Sequence, residues 1–280
     1  MFKPVKITSA EIEKVLSDGT ANDNYCGLYD EMTKKLKSNL TEAIIKRTLI
    51  DGTRLQEEWF PQDIGHFDVF ISHSHRDLKL VKSFSYWLNK NLGLRCFVDS
   101  VFWKYSDKLL EKIDYEYSRY YDKVARKYMY YYSKRNVTTS NVHCMLTMAL
   151  MKMMESCELV IFIDSDNSIK YEHDSKKTLS PWIYEEIEMA NMLPSKMPKR
   201  WIDNPEMAVL NESELKMFTK AVEDTSFFYN ARIDRFSVLT STILQLVKDS
   251  YRFETPIADN SLDEIYMGLK TKQGNSFFIG

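Results

Sequence analysis

Catalysis by a carboxylate needs that carboxylate held where water is scarce, and Glu186 stands in such a setting. If residues 181–193 are helical, its neighbours at minus four, minus three, plus three and plus four are Trp182, Ile183, Met189 and Ala190, all apolar. Glu185 instead faces Pro181, Trp182, Glu188 and Met189, and Glu188 has mainly polar neighbours. Glu186 alone is therefore expected on the buried side, where an unpaired carboxylate is costly. Either an Arg or Lys from elsewhere pairs with it, or it lines a pocket. His73 and His75 stand two apart, which puts them on one face of an extended chain. That spacing suits a metal pair, but no third ligand stands at motif spacing, so no metal is expected and both are read as polar loop residues. Ser72 and Ser74 lack the strand-to-helix elbow of a serine nucleophile. Cys157 has no partner for a Cys-His arrangement. G-x-G-x-x-G and the P-loop pattern are absent, so neither a Rossmann cradle nor a P-loop is predicted.

The elements that must position these residues follow from hydrophobic periodicity. Phe67-Asp68-Val69-Phe70-Ile71 reads as a strand, and the polar cluster Ser72–Asp77 follows it. Leu80, Val81, Phe84, Leu88 and Leu92 then mark one face of a helix that Gly93 closes. Leu94–Asp99 is a second strand. Strand, helix, strand at this spacing is a βαβ unit, which implies a parallel sheet with right-handed crossovers. Val142, Met145, Leu146, Ala149, Leu150, Met153 and Met154 form the stripe of a buried helix. Leu159–Ile163 is continuously apolar, as in a strand covered on both faces. Ser180-Pro181 supplies a cap and a first-turn proline for the helix that carries Glu186, and Pro194 stops it. Ligands of an open parallel sheet bind beyond the carboxyl ends of its strands. That rule selects three loops: Ser72–Asp77, Asp99–Ser106 and Asp164–Ser180.

Residues 1–66 read as a helical N-terminal arm, with one helix from Ser9 to Leu16 and another from about 28 to 49 that Asp51-Gly52 ends. Trp59-Phe60-Pro61 reads as its aromatic anchor. Residues 67–250 form the α/β domain, with a helical or hairpin insertion at about 104–140. Lys104–Arg135 holds nine tyrosines among nine basic and five acidic residues. It is read as an amphipathic excursion or a protomer contact, and nucleic acid is not expected as its partner. A short strand is placed near 207–210, a last strand at 227–233, a helix at 236–247, and a polar tail at 251–280.

The 280 residues are 44% apolar and 28% charged with a net charge of -2, an ordinary globular composition without the basic field that nucleic acid or a membrane surface attracts. Cys26, Cys96, Cys144 and Cys157 form no C-x-x-C pair and fit reduced thiols, with Cys96 and Cys144 inside apolar patterns. Met1–Val5 does not resemble a signal peptide, and no window approaches the roughly 20 apolar residues of a membrane span. A cytoplasmic protein is expected.

Phe67-Asp68-Val69-Phe70-Ile71-Ser72-His73-Ser74-His75-Arg76-Asp77, the strand ending at Asp99, the strand Leu159–Ile163 and Ser180-Pro181-Trp182-Ile183-Tyr184-Glu185-Glu186-Ile187 resemble, in this order, the Toll/interleukin-1 receptor (TIR) domain family. The last segment is similar to the family's S-x-W-x-x-x-E-[LI] motif, and its glutamate falls on Glu186. Trp103-x-x-Ser106-Asp107-x-Leu109-Leu110 and the helical arms look more like bacterial anti-phage TIR proteins, including the Thoeris type, than receptor domains. The loop after Asp99 lacks the receptor domains' glycine and proline pattern.

The resemblance implies a flavodoxin-like parallel sheet flanked by helices and, for enzymatic members, cleavage of the nicotinamide–ribose bond of NAD, which is substrate and not cofactor. Glu186 would stabilise the ribosyl cation. From their place in the loops after the strands, and not from the motif, Ser72, His73, Ser74 and Arg76 would line the phosphates, and Phe102 and Trp103 would stack on a ring of the substrate. Asp99 and Trp182 complete the expected substrate site. Partners implied are NAD, further copies of the chain, and a downstream effector protein reached through a nucleotide signal, the product of ADP-ribosyl cyclisation or hydrolysis. Two alternatives stand beside this: a non-enzymatic adaptor acting by TIR–TIR assembly, and a flavodoxin-like enzyme acting on another nucleoside's glycosidic bond.

Overall fold

Lys3–Thr8 forms a strand, β1, where the sequence reading places the start of a helical arm. Val5 and Ile7 are buried and Lys6 between them is not, the period of two that a strand imposes. The structure, a computed structural model, describes residues 2–17, 50–60, 65–172, 175–202 and 228–273. Helix α1, Ser9–Leu16, follows β1, with the Thr8 hydroxyl capping its first turn. The helix expected at 28–49 and the strand expected near 207–210 lie outside the described residues. Asp51-Gly52, read as a helix end, instead begins one. The Asp51 carboxylate accepts from the Arg54 amide and caps α2, Gly52–Trp59. Trp59 and Phe60 are fully buried.

Val69–Ser72 is β2, and Leu78–Leu92 is α3, which ends on Gly93 in the left-handed conformation. Cys96–Val98 is β3. Helix α4, Ser100–Ile113, begins directly after Asp99, where a loop as far as Ser106 is expected. The insertion then forms an antiparallel hairpin of β4, Arg119–Asp122, and β5, Lys127–Tyr130. Helix α5, Tyr132–Ser156, buries the predicted stripe from Val142 to Met154, while Cys144, expected in that core, is exposed. Leu159–Asp164 is β6, with all six residues buried.

The expected loop between β6 and the Glu186 helix contains two short strands, β7, Lys170–Glu172, and β8, Ser175–Thr178. Pro181–Met192 is α6, and the Ser180 hydroxyl accepts from the Ile183 amide as predicted. A short helix, α7, spans Lys199–Ile202. Tyr229–Asn230, β9, pairs with β8 in a small antiparallel sheet, and Ser237–Val238, β10, is the last strand of the main one. Helix α8 is Ser241–Ser250. The tail read as polar folds into α9, Ala258–Gln273, which buries Leu262, Ile265, Tyr266 and Leu269.

The main sheet has the order β10-β1-β6-β2-β3, parallel throughout, so the fold is α/β with a five-stranded flavodoxin-like sheet flanked by helices. The chain divides into two units, one of Met1–Asp23, Phe67–Val98 and Met154–Gly280, the other of Asn24–His66 and Asp99–Met153. The sheet belongs to the first, the hairpin to the second. Helices α1, α3 and α8 pack on one another as one layer. The connections leaving β1 and β2 run one way along the sheet, and the connection from β6 to β10 runs the other way. Right-handed crossovers therefore set α6 on the face opposite α1 and α3, and make β2/β6 the point where the winding reverses. Among the described residues no helix is long and apolar enough to cross a membrane.

Candidate active site

Adjacent strands whose connections diverge leave a crevice at their carboxyl ends, the place where an open parallel sheet takes its ligands. Ser72 closes β2 at that point, and its hydroxyl donates to Glu186 Oε2 at 2.5 Å. Glu186 is 2% exposed. The helical-face argument therefore placed the residue correctly, and the second strand supplies a hydroxyl that suits a charged acceptor. His73 follows at once and is also buried. Burial pushes its imidazole down to about 4, against the opposing pull of the Glu186 charge, the Ile71 backbone and Asp77. At neutral pH His73 is thus an uncharged ring beside a carboxylate.

Glu188 departs from the sequence reading. It too is largely buried, and Arg232 Nε donates to its Oε1 at 2.8 Å. Two buried glutamates on one helix are served differently, one by a guanidinium and one by a serine hydroxyl. Glu185 is half-buried.

A second polar feature lies at the same edge. Asp77 accepts from the Ser165 hydroxyl at 2.6 Å and the Asn167 amide at 2.6 Å, tying the loop after β2 to the loop after β6. Asp164, the last residue of β6, accepts from the Tyr171 hydroxyl at 2.5 Å, and burial followed by this contact raises the phenol's pKa. Beside these loops an open cleft of 480 Å³ is lined by Ser9, Glu13, Arg76, Asp77, Lys79 and Asn167, among others. Its walls come from α1, α3 and the loops after β2 and β6, and neither Ser72 nor Glu186 lines it. Arg76 faces this cleft. Sequence reasoning had Asp77 inside its polar cluster but no sign of its partners, which lie some ninety positions further along the chain.

Ser72, His73 and Glu186 come together. Ser74 caps the short turn His75–Asp77 by accepting from the Arg76 amide. Trp182 is half-buried in the first turn of α6. Asp99, Phe102 and Trp103 belong to the second unit. Asp99 accepts from the Ser100 amide at 2.6 Å and caps α4. Phe102 and Trp103 lie in that helix's first turn, with their side chains outside the described residues. No group of three His, Cys, Asp or Glu side chains that could hold a metal occurs among the described residues.

A carboxylate in this setting can stabilise a developing cation, because the field of a charge is strongest where water is excluded. Comparison of the chain with protein-family models, with curated proteins and with solved structures gives no match.

Proposed function

We propose that this chain is a TIR-like enzyme that cleaves the nicotinamide–ribose bond of NAD, with Glu186 as the catalytic carboxylate. The observation that carries the reading is the buried Ser72–Glu186 contact at the sheet's winding reversal. Nicotinamide leaves with the bonding electron pair and neutralises its own ring charge, so no general acid is required. The ribose carbon left behind is oxocarbenium-like, and Glu186 stabilises it. Water then attacks and loses a proton to give ADP-ribose, or a group of the same ADP-ribosyl moiety attacks and a cyclic product forms. Ser72 holds the carboxylate in place and is a positioning residue. In the anti-phage setting that the resemblance implies, the product is a signal to a downstream effector.

Glu186 is almost wholly enclosed, so substrate meets it only after the chain around it shifts. Self-assembly is the trigger this reading expects, which predicts activity per molecule that rises with protein concentration. The test is to incubate the purified chain with NAD and resolve the products by mass. Nicotinamide release that Glu186→Gln abolishes supports the proposal. No release at any protein concentration, or with infected-cell extract, overturns it in favour of an adaptor. Release from deoxynucleosides but not from NAD assigns a different glycosidic substrate.

A further inference from the structure

The hairpin of the second unit presents an organised surface that the NAD reading does not use. In the β4–β5 ladder Arg119 stands opposite Tyr130 and Tyr121 opposite Tyr128, so these four side chains share one face. Tyr115, just before the hairpin, adds a fifth. The Arg119 guanidinium lies 3.5 Å from the Tyr115 ring centre and 4.3 Å from that of Tyr128, held between the two. Tyr121 meets Tyr128 edge to face at 5.2 Å, and Arg135 lies over Tyr130. The base is fixed, because buried Asp114 accepts from Arg135 at 2.9 Å and from Thr138 at 2.6 Å. On the opposite face Tyr120 stacks on Tyr131 at 4.2 Å.

The ordered face is nonetheless open. Tyr115, Tyr121 and Tyr128 are 50%, 51% and 60% exposed. Rings of this size in a contiguous solvent-facing group mark an interaction surface. Residues 115–135 carry six basic and two acidic side chains, +4 net, in a chain whose total is -2, so the remainder carries -6. Arg126 and Lys127 stand at the hairpin tip, where Asp122 accepts from the Val124 and Ala125 amides and Arg126 takes a left-handed φ of 50°.

Contrary to the expectation from sequence, and because the ladder gathers the exposed rings on one face, we propose that this hairpin face binds single-stranded nucleic acid. Bases stack on the tyrosine rings, and the phosphates meet Arg126, Lys127 and their cationic neighbours. The surface fits this partner better than an acidic protein. The face of an aromatic ring is the negative end of its quadrupole, so carboxylates gain nothing over the tyrosines while flat bases do. A second copy of the hairpin fits worse still, since two segments that each carry +4 net repel.

The experiment is fluorescence anisotropy of a labelled oligo-dT of about 20 nucleotides with the full chain at about 50 mM salt, repeated at higher salt and with a duplex of equal length. The single strand is expected to bind more tightly than the duplex, with affinity falling as salt rises. Tyr121→Ala/Tyr128→Ala should weaken it at least about fivefold, the low end of stacking on one base. Arg126→Glu/Lys127→Glu, at exposed tip positions, should weaken it and flatten the salt dependence while the far-UV circular dichroism is unchanged. Absence of binding overturns the proposal, as does full affinity in the folded tyrosine variant. Light scattering that shows self-assembly lost in the tyrosine variant, with no oligonucleotide bound by the parent, makes the face a protein interface and overturns it too.

Discussion

Ser72 Oγ donates to Glu186 Oε2 at 2.5 Å, which joins the last residue of β2 to the middle of α6 across 114 positions of sequence. The contact ties down a carboxylate that is only 2% exposed. Ser72→Ala removes the donor and leaves a buried acceptor less well served. It is expected to lower folding stability by about 1–3 kcal/mol, read by urea denaturation. If Glu186 acts as proposed, the same variant lowers kcat for nicotinamide release more than it changes KM. Unchanged stability and unchanged kcat together would show that the hydroxyl is incidental.

The two ends of that contact were separately legible and their meeting was not. Ser180-Pro181, the apolar neighbours of Glu186 and Pro194 define α6 from local chemistry alone, and the unbroken apolar run defines β6. The strand β1 was hidden because six residues with two lysines and a proline carry no pattern by themselves. Its identity comes from pairing along its full length with β6. The C-terminal helix was missed although Leu262, Ile265, Tyr266 and Leu269 fall at i, i+3, i+4 and i+7, because the surrounding polar residues made the segment read as a tail. Glu188 was misplaced for a different reason. Helical neighbours describe one element, and Arg232 arrives from another.

His73 makes stability depend on pH. The imidazole takes a proton near 6.5 when unfolded but only at about 4 when folded, chiefly because it is buried. Between those values the unfolded chain binds more protons, so stability rises with pH across that window. Its contribution is complete above about 6.5, is lost as pH falls towards 4, and changes no further below. The whole interval corresponds to about 3 kcal/mol. Urea denaturation at several pH values should show His73→Gln losing less stability on acidification than the parent. Parallel losses would assign the acid sensitivity to the carboxylates instead.

Gly93 ends α3 at a φ of +68°, and a Cβ there would lie 2.8 Å from the Pro256 carbonyl oxygen. The adjoining turn is held from the other side, where the Ser261 hydroxyl donates to the Leu92 carbonyl at 2.8 Å. Gly93→Ala therefore carries both the left-handed penalty of an L side chain, about 1–2 kcal/mol, and a displacement of backbone rather than of a flexible side chain. A total loss of about 2–4 kcal/mol is expected. Amide exchange should report it first at the start of α9. A melting temperature equal to that of the parent would contradict the close approach.

Arg232 and Glu188 provide the contrast to Ser72 and Glu186. The Glu188 side chain is 12% exposed and that of Arg232 is 40% exposed, so the pair is only partly desolvated. Arg232→Met takes away the guanidinium and leaves a largely buried charge, at an expected cost of about 1–3 kcal/mol, below that of a fully buried pair because water still reaches the site. Adding Glu188→Met should recover part of this, since the stranded charge is then gone. The double-mutant cycle measures the coupling directly. Neither change touches Glu186, so nicotinamide release per folded molecule should survive both. Loss of release in Arg232→Met at full folding would mean that the arginine, and not only the serine, holds the α6 carboxylates in their working geometry.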